Sequence, residues 1–162
     1  RVLFRSYLSH MAHPKPRKWV PKHPEKYVGN LHNIIARSSW EVKFLNYCDN
    51  HPEILKYASE ELVIPYFSPV DQRWHRYYVD FVMLVRTKSG EIKRFAVEVK
   101  PFAQTQMPTL QPKNSKQRMR LINEISTYAV NQAKWKAAQD FCGKKDMAPK
   151  TALNIGGRRR KV

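Results

Sequence analysis

The sequence predicts an α/β protein, and three observations predict it. Two runs rich in β-branched and aromatic residues, Tyr77 to Val85 and Phe95 to Lys100, flank a short turn and read as a pair of strands. Two stretches with helical spacing lie on either side, one opening at Ser38 and one running from Ser115 to about Phe141. At 162 residues the chain is long enough for one domain with a real core.

Residues 1 to 32 are expected to be a basic, proline-rich arm. His13-Pro14-Lys15-Pro16-Arg17-Lys18-Trp19-Val20-Pro21-Lys22-His23-Pro24 has no periodicity and reads as extended chain, either solvated or laid along DNA or a neighbouring subunit. Met11-Ala12 resembles a natural start, so residues 1 to 10 carry little weight. Ser38 then caps a helix running to about Asn50, with Trp40, Phe44, Tyr47 and Cys48 on one stripe. Ser38 and Glu41 have capping-box spacing, which gives Glu41 a structural role; the same carboxylate is also placed to lean over the sheet toward Asp80.

Glu60 to Tyr66 reads as an edge strand, where Pro65 is tolerated, and Ser68 to Gln72 as a turn. Arg73-Trp74-His75-Arg76 leads into the strand of Asp80, and His75 is expected to make a phosphate or structural contact. The fourteen residues from Pro101 to Asn114 hold three Gln and three Pro and suit a loop beside the acids. In the long helix Met119, Ile122, Ile125, Tyr128, Ala129, Gln132 and Trp135 form the expected inner stripe, with Gly143 as the stop. Gln132, polar on that stripe, is either a buried amide or a group reaching the acids. After it only Thr151 to Ile155 suggests a weak strand, so residues 33 to 155 form the expected domain and 156 to 162 a flexible basic tail.

Composition narrows the partner. Thirty Lys and Arg against thirteen Asp and Glu give a formal charge of +17, which points to a polyanion and above all to nucleic acid. The basic side chains expected to meet DNA are Lys15, Arg17, Lys18, Arg76, Lys116, Arg118, Arg120 and Lys134. Cys48 and Cys142 lie far apart without metal-ligand spacing, so neither a disulfide framework nor a zinc site is expected. The longest apolar run, Phe81 to Val85, is too short for a bilayer, and the opening residues lack the apolar core and cleavage site of a secretory signal, so none is expected there. There is no glycine-rich phosphate loop to hold a nucleotide cofactor. The expectation is an intracellular, soluble, DNA-facing protein.

The hairpin carries the chemistry. Strand alternation puts Tyr78, Asp80, Val82 and Leu84 on one face and Val79, Phe81, Met83 and Val85 on the other, while Arg94, Ala96, Glu98 and Lys100 share a face opposite Phe95, Val97 and Val99. A three-residue loop from Lys88 to Gly90, with the glycine left-handed, sets Asp80 opposite Glu98 and Lys100 diagonally beside Asp80. Two carboxylates held this close repel one another unless a cation sits between them. A hard ion, Mg²⁺ or Mn²⁺, suits an all-oxygen site of Asp80, Glu98 and the Val99 carbonyl, with Glu41 as a further ligand. Such an ion lowers the pKa of water and neutralises phosphate charge, and Lys100 would orient the water or stabilise developing charge. Phosphodiester hydrolysis is the reaction that needs this set.

Val79-Asp80 followed by Glu98-Val99-Lys100 resembles the PD-(D/E)XK nuclease superfamily, with Val79 where the name-giving proline would stand. That resemblance implies a mixed central sheet flanked by helices. Asn33 to Glu41, Ile64-Pro65-Tyr66, His75 to Phe81, Val97 to Pro101 and Tyr128 to Trp135 together look like the head-completion nucleases of T-even-type tailed phages, over roughly residues 22 to 142. This implies an endo- and exonuclease of the phage head or neck, made in the host cytoplasm and acting before the tail joins. It also implies Glu41, Asp80, Glu98, Lys100 and Gln132 as the catalytic set. Two other functions suit the residues: a TnsA-like transposon or restriction-type endonuclease, and a basic neck protein that binds DNA without cutting it.

Overall fold

The computed structural model describes residues 15–100 and 102–153. The first fourteen residues of the arm and the basic tail at 156–162 lie outside the described residues. What is described of the arm is not free chain. Arg17–Lys18 (β1) pairs antiparallel with Ile35–Ala36 (β2), and Trp19 and Tyr27 are buried, both edge-on to Tyr57 at 6.3 and 5.4 Å. Buried Asp49 accepts from the backbone N–H of Lys22 (2.8 Å) and His23 (3.2 Å) and from the Tyr57 hydroxyl (2.9 Å). Each of these contacts joins residues distant in sequence or lacking any periodic pattern, so a pattern search over the proline-rich stretch sees only polar irregularity.

The first helix is Ser39–Asn50 (α1), capped by Ser38, whose Oγ accepts from the Glu41 N–H at 3.1 Å. Its buried stripe is Phe44, Leu45, Cys48 and Asp49, while Tyr47 is exposed; the packed face is turned by about one position from the expected stripe. Lys26 reaches the other end, its Nζ donating to the carbonyls of Cys48, Asp49 and His51 at 2.7 to 2.9 Å. These are carbonyls that a helix C-terminus leaves unpaired.

Ile54–Ser59 (β3), which sequence patterning did not single out, is an outer strand of a four-stranded sheet. Val63–Ser68 (β4) and Arg73–Tyr78 (β5) form a separate antiparallel ribbon. The main sheet continues with Phe81–Arg86 (β6) and Ile92–Lys100 (β7). Next come a 3-10 turn at Phe102–Thr105, the helix Ser115–Lys144 (α2) and the strand Met147–Leu153 (β8). The strand order is β3-β6-β7-β8, with β8 parallel to β7 across the α2 connection and the other pairs antiparallel. The result is a central mixed sheet with α1 packed on one side and α2 on the other.

The expected single strand from Tyr77 to Val85 is broken at Val79-Asp80. Its first part pairs with β4, its second with β3 and β7, and the chain crosses between the two sheets at the acid. Backbone bonds from Val79 N–H to the Leu62 carbonyl (2.9 Å) and from Glu60 N–H to the Asp80 carbonyl (3.2 Å) hold the crossover. Likewise Glu60 to Tyr66 is not an edge of the main sheet; its strand begins at Val63 and belongs to the ribbon.

The hairpin register is the expected one. Gly90 takes a φ of +85°, the Thr87 N–H bonds the Glu91 carbonyl at 2.8 Å, and Phe81 pairs with Val97, so the next step sets Asp80 against Glu98. Phe81, Met83, Val85, Phe95, Val97 and Val99 pack toward α1, confirming the apolar face. Val79, before the break, faces the other way and packs with Ala96, Tyr77 and Ala138 under α2.

In α2 the packed face is Val130, Ala133, Ala137, Ala138, Phe141 and Cys142, whereas Met119, Ile122 and Ile125 of the expected stripe are exposed. Gly143 does not stop the helix, which runs one residue further to Lys144 and turns through Asp146 at φ +49°. The expected weak strand at Thr151 instead starts at Met147, and Pro149 is tolerated because β8 is the outermost strand. No helix among the described residues is long and apolar enough to cross a membrane.

Candidate active site

Three side chains from two neighbouring segments meet where the ribbon joins the sheet. Glu98, on the α2-facing side of β7, is only 5% exposed. Its Oε1 is 2.9 Å from the Lys100 Nζ, and its Oε2 accepts from the Tyr77 hydroxyl at 2.5 Å. Asp80 arrives from the crossover, its Oδ2 accepting from the Val99 N–H at 2.7 Å. Burial, and then the Glu98 charge, push the Asp80 carboxyl up to about 7. Burial works against the Lys100 charge, but the carboxylates of Glu98, Asp80 and Glu41 outweigh it and raise its pKa. The cluster is a pair of crowded acids held by one lysine.

Glu41 stands beside this cluster as a cap. Its Oε1 accepts from the Ser38 hydroxyl and its Oε2 from the Arg37 N–H, both at 2.8 Å, yet its charge is felt at both Asp80 and Lys100. Arg37 itself forms a two-pronged pair with Glu60, at 2.8 and 2.9 Å.

Gln132 is exposed and does not lie on the packed face of α2. A 3.6-residue period over thirty residues leaves the phase of the buried stripe uncertain by a position, and here the buried amide is its neighbour Asn131. The Asn131 Nδ2 has no hydrogen-bond partner among the described residues. Lys134, expected on the DNA-facing surface, is half-buried and sits over the rings of Tyr66 and Tyr77, 5.6 and 5.5 Å from their centroids. Burial, and then the charge of Lys100, lower its pKa.

Sequence reasoning missed Tyr77 as a site residue. Its signal is faint, a tyrosine three positions before the acid, and only the ribbon's return over β7 brings its hydroxyl to Glu98. A buried tyrosine hydroxyl aimed at a carboxylate locks that carboxylate's rotamer. Tyr77→Phe is therefore expected to leave Glu98 Oε2 unpaired, lower stability by about 1–3 kcal/mol and slow catalysis. Thermal unfolding and plasmid nicking measured side by side would show both losses, and an unchanged nicking rate would exclude the positioning role.

The other basic side chains expected to meet DNA are all exposed. Lys15, Arg17 and Lys18 are exposed at the N-terminal end, Arg76 is exposed on the ribbon, and Lys116, Arg118 and Arg120 are exposed on the first turns of α2, where Arg120 pairs with Glu124 at 2.7 Å. His75 is bonded to Asp71 at 2.8 Å and stacked on Tyr66.

Among the described residues no three His, Cys, Asp or Glu side chains come together as a ready metal cage. The donor set that is present still suits a hard divalent ion: two crowded carboxylates, one of them pushed up to about 7 by burial and by the charge of the other, next to the backbone of Val99.

A mixed sheet between two helices, with an acid at a strand crossover and Glu-x-Lys on the adjacent strand, defines a nuclease of the restriction-endonuclease-like, PD-(D/E)XK class. The model of the TnsA-like endonuclease N-terminal domain matches residues 51–148, and the chain belongs to that family. It is also 41% identical over 130 residues to the head completion nuclease of Enterobacteria phage T4, a match that covers 79% of this chain and 83% of that protein. The chain is accordingly a nuclease of this endonuclease family. No solved structure gives a significant match.

Proposed function

We propose that this chain is a Mg²⁺-dependent deoxyribonuclease, carried in the phage head or neck and trimming DNA there before the tail joins. The observation that carries the proposal is the Asp80–Glu98 pair, facing one another in a buried site with Lys100 bonded to Glu98. A DNA-binding surface alone gains nothing from two acids aimed at phosphates, and burying them together raises the energy of the empty site.

Asp80, Glu98 and the Val99 carbonyl would hold the ion, with Glu41 close enough to contribute charge. When bound, the ion supplies a more acidic water and neutralises charge on the scissile phosphate. Lys100 donates to the attacking water or to a phosphate oxygen, and Tyr77 keeps Glu98 from turning away. Lys134, braced on two tyrosine rings, adds a second positive charge for the strand being cut. The attacking oxygen forms a bond to phosphorus as the bond to the leaving sugar oxygen breaks. The activity proposed includes both endonucleolytic cuts and attack from ends. The basic arm and the tail at 156–162 would add sequence-independent affinity, and head or neck proteins would localise the enzyme.

Purified protein is expected to nick and then linearise supercoiled plasmid in Mg²⁺ or Mn²⁺ and to be silent in EDTA. Failure to cut circular DNA in either metal would remove the endonuclease proposal, and undiminished cutting in EDTA would remove the metal.

A further inference from the structure

The β4–β5 ribbon buries one face and leaves the other bare. Ile64, Tyr66 and Tyr77 pack inward toward α2, while the alternate positions form cross-strand pairs on the free side: Val63 with Tyr78, Pro65 with Arg76, and Phe67 with Trp74. Trp74 is 71% exposed, and it meets Phe67 edge-on at 5.7 Å. Arg76 stands between Trp74 and Tyr78 on the same face and has no ion-pair partner among the described residues. Three exposed aromatics around a free guanidinium are an unusual surface for a monomer to leave in water.

We propose that this ribbon face grips unpaired bases next to the cut, with Trp74 and Phe67 stacking on bases and Arg76 holding the intervening phosphate. The enzyme would then favour DNA with single-stranded tails, frayed ends or branches over intact duplex. The inference deepens the nuclease proposal and rests on it only for DNA being the substrate.

Three observations favour DNA over a protein partner. The ribbon is continuous with the site, since β5 supplies Tyr77 to Glu98 and runs straight into Asp80. Trp74 lies six residues from Asp80, so it is within about 22 Å of it along the chain, roughly six nucleotides of backbone. Charge agrees, because the chain carries +17 and the bare face has an arginine and no acid. Size agrees as well: two strands of six residues offer on the order of 200 Å² in outline, far below the ~800 Å² per partner of a stable protein interface. Aromatic side chains that stack on bases beside a basic group are a recurrent means of holding single strands without reading sequence.

The test is binding of the full chain, in EDTA so that nothing is cut, to a fluorescent blunt duplex and to the same duplex with a single-stranded tail. Wild type is expected to bind the tailed DNA about tenfold more tightly, Trp74→Ala to bring the ratio near one, and Trp74→Phe to restore most of it. Because Trp74 is largely in solvent, its replacement does not open the core. A wild-type ratio of one would overturn the proposal. So would a Trp74→Ala ratio equal to wild type, a loss equal on both DNAs, or a change of oligomeric state in Trp74→Ala that shows the face to be a protein contact. The binding ratio is measured without catalysis, so a chain that fails to cut plasmid would defeat the nuclease proposal while leaving this one to stand or fall separately.

Discussion

Glu98→Ala is expected to abolish metal-dependent nicking of supercoiled plasmid, by about a thousandfold or more, and to leave salt-sensitive DNA binding largely intact. Glu98 is the member of the cluster that touches the most: it holds Lys100 at 2.9 Å and the Tyr77 hydroxyl at 2.5 Å, and it faces Asp80. Removing it leaves a buried hydroxyl without a partner, which costs about 1–3 kcal/mol, so lost activity could reflect lost structure. Glu98→Gln separates the two, because the amide oxygen still accepts from Tyr77 while the negative charge is gone. Both variants are expected to bind DNA with affinity that falls as salt rises, and neither to cut it. Cutting by Glu98→Gln at the wild-type rate would show that the charge of this residue has no part in the reaction.

Asp80→Asn is expected to make the metal-free protein more stable at pH 8 and to change little at pH 4. The Asp80 carboxyl titrates near 7 when folded against 3.8 as its ordinary value, with burial and Glu98 as the causes. Below about pH 4 the proton is bound in both states and the shift has no effect on stability. As pH rises from 4 to 7 the unfolded chain loses the proton first, so folding loses ground, and above 7 the deficit is complete. One pKa unit corresponds to about 1.4 kcal/mol, and relaxation around the ionised group reduces the full value to about 2 kcal/mol. For a chain of this length that is an increase in Tm of about 4–8 °C for the asparagine variant in EDTA at pH 8. Adding Mg²⁺ should raise the Tm of wild type and not of the variant, since only wild type carries the charge that the ion relieves. Equal melting of the two proteins across this pH range would mean that Asp80 is not strained in the empty site.

The two variants together describe a site that trades stability for chemistry. Asp80 is costly to ionise where it stands, and the same crowding makes the place attractive to a divalent cation. Tyr77 and the Val99 N–H hold the two carboxylates in position, each from a different strand, so the pair does not collapse into an ordinary ion pair with Lys100 alone.

Period-two alternation and one turn glycine were enough to put Asp80 opposite Glu98, with Lys100 on the same face, because a hairpin's register depends only on local residues. The capping box gave α1 its start for the same reason, since Ser38 and Glu41 are three residues apart. Net charge named a polyanionic partner with no structural information at all. These are short-range or compositional properties, and sequence carries them openly.

What tertiary structure alone decided has the opposite character. The break at Val79-Asp80 arises because one continuous apolar run is shared between two sheets, and no local pattern records which partner each half will find. Trp19, Tyr27 and Asp49 anchor the arm through contacts between distant residues. The phase of α2 was set by what packs beneath it, which buried Asn131, half-buried Lys134 and left Gln132 exposed. Tyr77 became a site residue only when the ribbon folded back over β7. The sequence by itself determined the acids, the lysine and their register, since neighbours along the chain set those; the structure decided which aromatics hold them and which face stays bare, since burial there depends on elements that meet only in three dimensions.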